Sequence, residues 1–117
     1  GIEMKIIEAI MQPFKLDDVT TALLGIGVEG MTVSEVKGFG HQKGGQERYN
    51  GNAFTSIFVP KVKIEVIVSD SLVQKVVDTI TRYAKTEGAG DGRIFVMDLV
   101  AAVGIKTGPM REPALAL

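Results

Sequence analysis

Three glycines and an arginine fall within Thr86 to Arg93 (TEGAGDGR), and this spacing suits anion binding. Gly88, Gly90 and Gly92 leave backbone N–H groups free to converge on an anion, and Arg93 can neutralise it. The pattern is that of a phosphate cradle. It is not a Walker loop, since no GxxxxGK[ST] is present, nor a dinucleotide fingerprint, since these glycines precede a strand and not a helix. A plain glycine-rich turn is the other reading, and the turn taken alone favours it.

A second glycine pair, Gly38-Phe39-Gly40, runs into His41-Gln42-Lys43. Around it Lys37, His41, Lys43, Arg48, Lys61 and Lys63 outnumber Glu35 and Glu47. Two glycine turns beside a basic loop suggest a polyphosphate site, against the alternative of a solvated loop whose charges do nothing. Glu65 alternates with the core positions Ile64 and Val66, so its carboxylate can take an adenine amino group or meet a cross-strand lysine. Lys37-Gly38-Phe39-Gly40 also matches the opening of the RNP1 motif. That motif belongs on a third strand with further aromatics, and with 6% aromatic residues and a net charge of −1 the chain is not expected to bind nucleic acid.

Catalytic chemistry finds little support. His41 is the only histidine and cysteine is absent, which excludes disulfides, thiolate nucleophiles, Fe–S clusters and a histidine-rich metal site within one chain. Ser34 and Ser56 lie in nothing like a nucleophile elbow. The chain is read as a non-enzyme without a prosthetic group.

The elements that must position these residues follow from period. Lys5–Met11 alternates as a strand. Leu16, Val19, Ala22, Leu23 and Ile26 recur at helical spacing, with Gly27 at the stop. Gly30–Lys37 alternates again. Residues 38–58 show neither period and read as a 21-residue loop, a length that usually signals function or disorder. Lys61–Val68 is a strand with Val62, Ile64, Val66 and Val68 facing the core. Ser69-Asp70 can cap a helix bearing Leu72, Val73, Val76, Val77 and Ile80. Arg93–Val100 supplies the last strand, and the tail 107–117 reads as loosely held. The order predicts one α+β domain over 1–117 with the ferredoxin-like βαββαβ plan, two helices covering one face of an antiparallel sheet. Ile6, Ile10, Val36, Ile67, Ile94 and Val96 are placed on the other face, which is then too apolar to stand in water, and self-association into a closed ring is expected. Met11, Met31, Met97 and Met110 read as packing residues.

The whole-chain numbers agree. With 117 residues, 45% hydrophobic and 23% charged, the chain fits a single globular domain. No apolar run reaches the ~18 residues needed to span a bilayer, and the start lacks the basic and apolar regions of a secretory signal. A cytoplasmic location is the expectation, with no membrane insertion.

The stretches KIIEAIMQPFKLDDV, GVEGMTVSEVKGFGHQKG, PKVKIEVIV and GDGRIFV, in that order, resemble the PII signal-transduction family from Met4 to about Thr107. The resemblance implies a homotrimer that binds adenine nucleotides in clefts between neighbouring subunits. It implies that residues 38–58 are the T-loop, which touches a target protein such as a transporter, enzyme or regulator. Carried across, the nucleotide site comprises Thr32, Gly38, Gly40, His41, Glu65, Ile67, Gly90, Asp91, Gly92 and Arg93, with Lys106 from a neighbour. Gln42 and Lys61 stand where PII proteins hold 2-oxoglutarate, often with Mg²⁺ on the ATP phosphates.

The departures are informative. Uridylylated members have a tyrosine where this chain has Phe54, which carries no hydroxyl to modify. The usual arginine after GFG is His41, two tail arginines are Gly104 and Lys106, and TGKIGDGK has become TEGAGDGR. Charge-assisted hydrogen bonds are about twice as strong as neutral ones, so loss of cations penalises the terminal phosphate most. The expectation is a preference for ADP or AMP over ATP, as in the carboxysome-associated PII-like group, which pairs nucleotide with bicarbonate; a 2-oxoglutarate sensor regulating nitrogen metabolism is the other reading. A slow nucleotide phosphohydrolase and a ligand-free interaction module are the remaining alternatives.

Overall fold

The computed structural model describes residues 3–41 and 56–110. Strand β1 (Met4–Met11) lies at the centre and is followed by a 3-10 turn, Pro13–Lys15, that leads into helix α1 (Leu16–Gly25). Pro13 suits this entry, since a first-turn N–H has no intrahelical partner to lose. Asp17 and Asp18 sit in the first turn, where the helix dipole favours negative charge. Gly27 ends the helix at φ +98°: its N–H donates to Leu24 O and the Val28 N–H to Leu23 O, while buried Leu23 and Val28 join the same core cluster. These are the bonds of a Schellman stop.

Strands β2 (Thr32–His41) and β3 (Ser56–Ser69) come next, then a 3-10 turn, Asp70–Leu72, helix α2 (Val73–Ala84) and strand β4 (Gly92–Asp98). The sheet order is β2-β3-β1-β4 with every neighbouring pair antiparallel. This is the expected ferredoxin-like plan. Val19 and Leu23 of α1 and Val76, Ile80 and Ala84 of α2 are buried against Ile7, Ala9 and Met11 of β1 and Val62, Ile64, Val66 and Val68 of β3. Helical and two-residue periods thus meet in one core between the helices and the two central strands.

Four expectations need correction. First, Ile94 pairs with Ala9 and Val96 with Ile7, so both lie on the helix side; Arg93, Phe95 and Met97 are the β4 residues opposite Ile10, Glu8 and Ile6. Alternation divides a strand into two sets, but only its register against β1 says which set faces the helices. The open face carries Ile6, Ile10, Val36, Ile67, Phe95 and Met97, interspersed with Glu8, Thr32, Ser34, Lys63, Glu65 and Arg93. Second, β2 and β3 continue as a two-stranded ribbon beyond the end of β1, from Val36↔Lys61 to His41↔Ser56. Residues 38–41 and 56–58 are therefore strand, and only 42–55 of the expected loop lie outside the described residues. Pro60 sits where β3 has become an edge, the place sheets admit proline.

Third, Ser69 caps no backbone group: its Oγ lies 3.1 Å from Ser71 Oγ, and the chain enters α2 through the 3-10 turn. The turn is fixed instead by the Asp70 N–H donating to Glu3 O at 2.9 Å. Fourth, the start of the tail is ordered. Strands β5 (Ala102–Gly104) and β6 (Gly108–Met110) form a hairpin closed by residues 105–107, with Gly108 at φ +81°. Residues 111–117 lie outside the described ones. Of the methionines, Met11 is buried and Met31 packs against the core, whereas Met97 is exposed on the open face.

Candidate functional site

Where β4 begins, the chain from Thr86 to Arg93 makes a glycine turn whose shape depends on two left-handed residues, Gly90 (φ +80°) and Gly92 (φ +111°). Gly92 is forced by packing as well, because a Cβ there would lie 1.7 Å from the Ile10 carbonyl oxygen. No L side chain fits. Asp91 closes the turn from within: its carboxylate accepts the Thr86 hydroxyl and, at 2.8 Å, the Thr86 N–H. The Gly88 N–H in turn donates to Thr86 Oγ1 at 3.1 Å. The Thr86 hydroxyl first, then the Thr86 N–H, hold the Asp91 carboxyl below the usual carboxylate range, with Lys61 and Lys15 adding to the effect.

Facing this turn is the root of the β2–β3 ribbon. Lys61 reaches across so that its Nζ donates to Gly90 O at 2.5 Å, and Gln12, just past β1, donates Nε2 to the same oxygen at 3.1 Å. Between ribbon and turn opens a cavity of about 570 Å³, lined by Gly38, Phe39, Lys61, Gly90, Asp91 and Arg93 among others. Such a volume falls in the range of ligand clefts. Lys61 and Arg93 supply two cations, and Asp91 is engaged by Thr86. The cavity therefore favours an anion.

Some of the expected site residues come together and the others do not. Gly38, Lys61, Gly90, Asp91, Gly92 and Arg93 meet in this cavity. Gly40 and His41 continue β2 outward along the ribbon, and Gln42 lies outside the described residues. Thr32 and Glu65 are direct cross-strand partners on the open face, on the same side of β3 as Ile67. Lys106 is at the exposed turn of the β5–β6 hairpin. Neither Thr32, Glu65, Ile67 nor Lys106 lines the cavity of their own chain.

Gln12, Phe39, Val59 and Ala89 also line the cavity, and Thr86 anchors Asp91, without a periodic signal that would mark any of them. Gln12 ends a strand before Pro13, a position no periodicity marks. Thr86 and Asp91 are five apart in a segment without period, so only the fold of the turn reveals their bond. Among the described residues no three metal-ligating side chains cluster, and no helix is long and apolar enough to cross a membrane.

An antiparallel ferredoxin-like sheet whose glycine turn faces the root of a two-stranded ribbon across a cavity defines the class of domain. The sequence profile described as Nitrogen regulatory protein P-II matches residues 4–109. Nitrogen regulatory protein P-II of Klebsiella oxytoca is 53% identical over 112 residues, which are 96% of this chain and all of the relative. Among solved structures, GlnK of B. subtilis superimposes with a TM-score of 0.76 at 36% identity, covering 91% of this chain and 93% of that one. The same protein in its ATP complex gives 0.74 at 33% identity over 91% and 92%. Arabidopsis thaliana PII bound to citrate gives 0.73 at 35% identity over 92% and 85%. The chain belongs to the P-II family. It is a signal-transduction regulator of that family and not an enzyme.

Proposed function

We propose that the protein is a homotrimer that binds an adenine nucleotide and a small carboxylate or bicarbonate in clefts between subunits, and regulates a target protein through residues 38–58. The observation that carries this reading is the anion cavity between glycine turn and ribbon root, with Lys61 and Arg93 in it. That the similar B. subtilis GlnK is known as an ATP complex and the similar Arabidopsis PII with citrate supports both ligand classes. The backbone amides of the turn and Arg93 hold the phosphates, while Lys61 and Gln42 take the metabolite. Thr32, Glu65 and Ile67 of one subunit, and Lys106 at its hairpin turn, complete a neighbour's cleft, because in their own chain they stand apart from it. A Mg²⁺ in this site enters on the nucleotide phosphates, as such ions commonly do.

Ligands shift the ribbon only by binding one of its arrangements better than another. The identity to nitrogen regulatory proteins over nearly the whole chain supports 2-oxoglutarate and nitrogen metabolism over the bicarbonate-sensing group. The loss of cations at His41, Gly88 and Gly104 supports ADP or AMP over ATP. Titration calorimetry with ATP, ADP and AMP tests that preference, and ATP binding tenfold tighter than both others would reject it. Arg93→Ala is expected to weaken nucleotide binding at least tenfold, and an unaltered Kd would remove it from the phosphate site. Gln42→Ala should lose the metabolite and keep the nucleotide.

A further inference from the structure

A second cavity, of about 320 Å³, lies on the helix side of the glycine turn, between the end of α2 and strands β1 and β4. Its apolar lining includes Met11, Ile80, Ala84 and Ile94, the first three of them buried. Lys85 and Arg93 border it as cations, and among the described residues neither enters an ion pair. The acid that lines it, Asp91, is already bonded to Thr86. An apolar interior with cations at its edge is complementary to an anion with a hydrocarbon body. At about 30 Å³ per heavy atom, the space takes roughly ten such atoms.

We propose that this cavity binds an aliphatic monocarboxylate of about eight carbons, chain inward and carboxylate at Lys85. Asp91, Gly92 and Arg93 form part of both this cavity and the phosphate cleft, so one turn is the shared wall of two sites. Occupancy on one side biases the turn seen from the other, and the coupling is reciprocal. That coupling rests on the nucleotide reading above; the carboxylate site does not.

The test is calorimetric titration of octanoate into the intact nucleotide-free protein, with octanol as uncharged control. Saturable binding is expected, weakened at least fivefold by Lys85→Glu and abolished by Ala84→Leu, which fills the interior. Lys85→Glu changes an exposed residue and keeps the test decisive should Ala84→Leu fail to fold. No saturable octanoate binding, equal binding of octanol, or indifference to Lys85→Glu would each overturn the site. Dissociation of the assembly by octanoate would also overturn it, by showing the cavity to be an intersubunit wall. In a second arm octanoate should change ATP affinity at least twofold. If ATP does not bind even without octanoate, the nucleotide reading has failed, while the first titration still decides the cavity.

Discussion

Gly92 carries the strictest requirement of any described residue in the candidate site. A side chain there meets both a left-handed φ and the Ile10 carbonyl, and backbone strain alone costs about 1–3 kcal/mol. Gly92→Ala should therefore destabilise by more than about 3 kcal/mol in denaturant unfolding, whereas Gly88→Ala, whose Cβ would meet only Thr86 Oγ1 at 3.8 Å, should stay within about 0.5 kcal/mol. Asp91 gives the turn a pH dependence. Its carboxyl titrates lower folded than unfolded because Thr86 bonds the charged form, so the stabilisation is complete above the unfolded value and is lost as pH falls through the folded one. The protection factors of the turn amides, with intrinsic exchange divided out, should be constant from about pH 7 to 5 and fall below about 4. Thr86→Val, which keeps only the backbone N–H bond to Asp91, should shrink that acid step. The sequence displayed the glycines and Arg93 but not the bond that closes them, since Thr86 and Asp91 share no period.

At the level of elements, what alternates or recurs was legible and what depends on pairing was not. The stripe Val76, Val77, Ile80 predicted α2, and Ile80 is buried against the sheet. Ile80→Ala should cost about 2–5 kcal/mol, read from the shift of the denaturation midpoint. Residues 38–41 and 56–58 looked like loop because glycines and polar residues break their alternation. Their strand structure comes from facing one another across β2 and β3, including the exposed Phe39 and Phe58 rings with centroids 5.2 Å apart. Alternation also left β4 undetermined by one residue of register, which moved Ile94 and Val96 to the helix side. The hairpin β5–β6 was hidden in the same way: three-residue strands are too short to show a period.

For the whole molecule, the open face is the feature that points beyond a single chain. It exposes Phe95 and Met97 and sets Glu8 directly opposite Glu65, a like-charge pairing that disfavours a strand pair left to itself. If this face is where subunits meet, Met97→Glu should shift the assembly from trimer to monomer in sedimentation velocity while leaving the far-UV circular dichroism of the subunit unchanged. Family and fold were readable from sequence; which of the expected site residues line one cavity and which stand on the open face was not, because that grouping exists only in three dimensions. At the root of the ribbon Lys61 stands between two partners. One ammonium both latches the ribbon root to Gly90 and faces the space an incoming anion would occupy. An ammonium carries three N–H donors and the bond to Gly90 uses one, so a guest held by the others would be fastened to ribbon and turn through a single side chain.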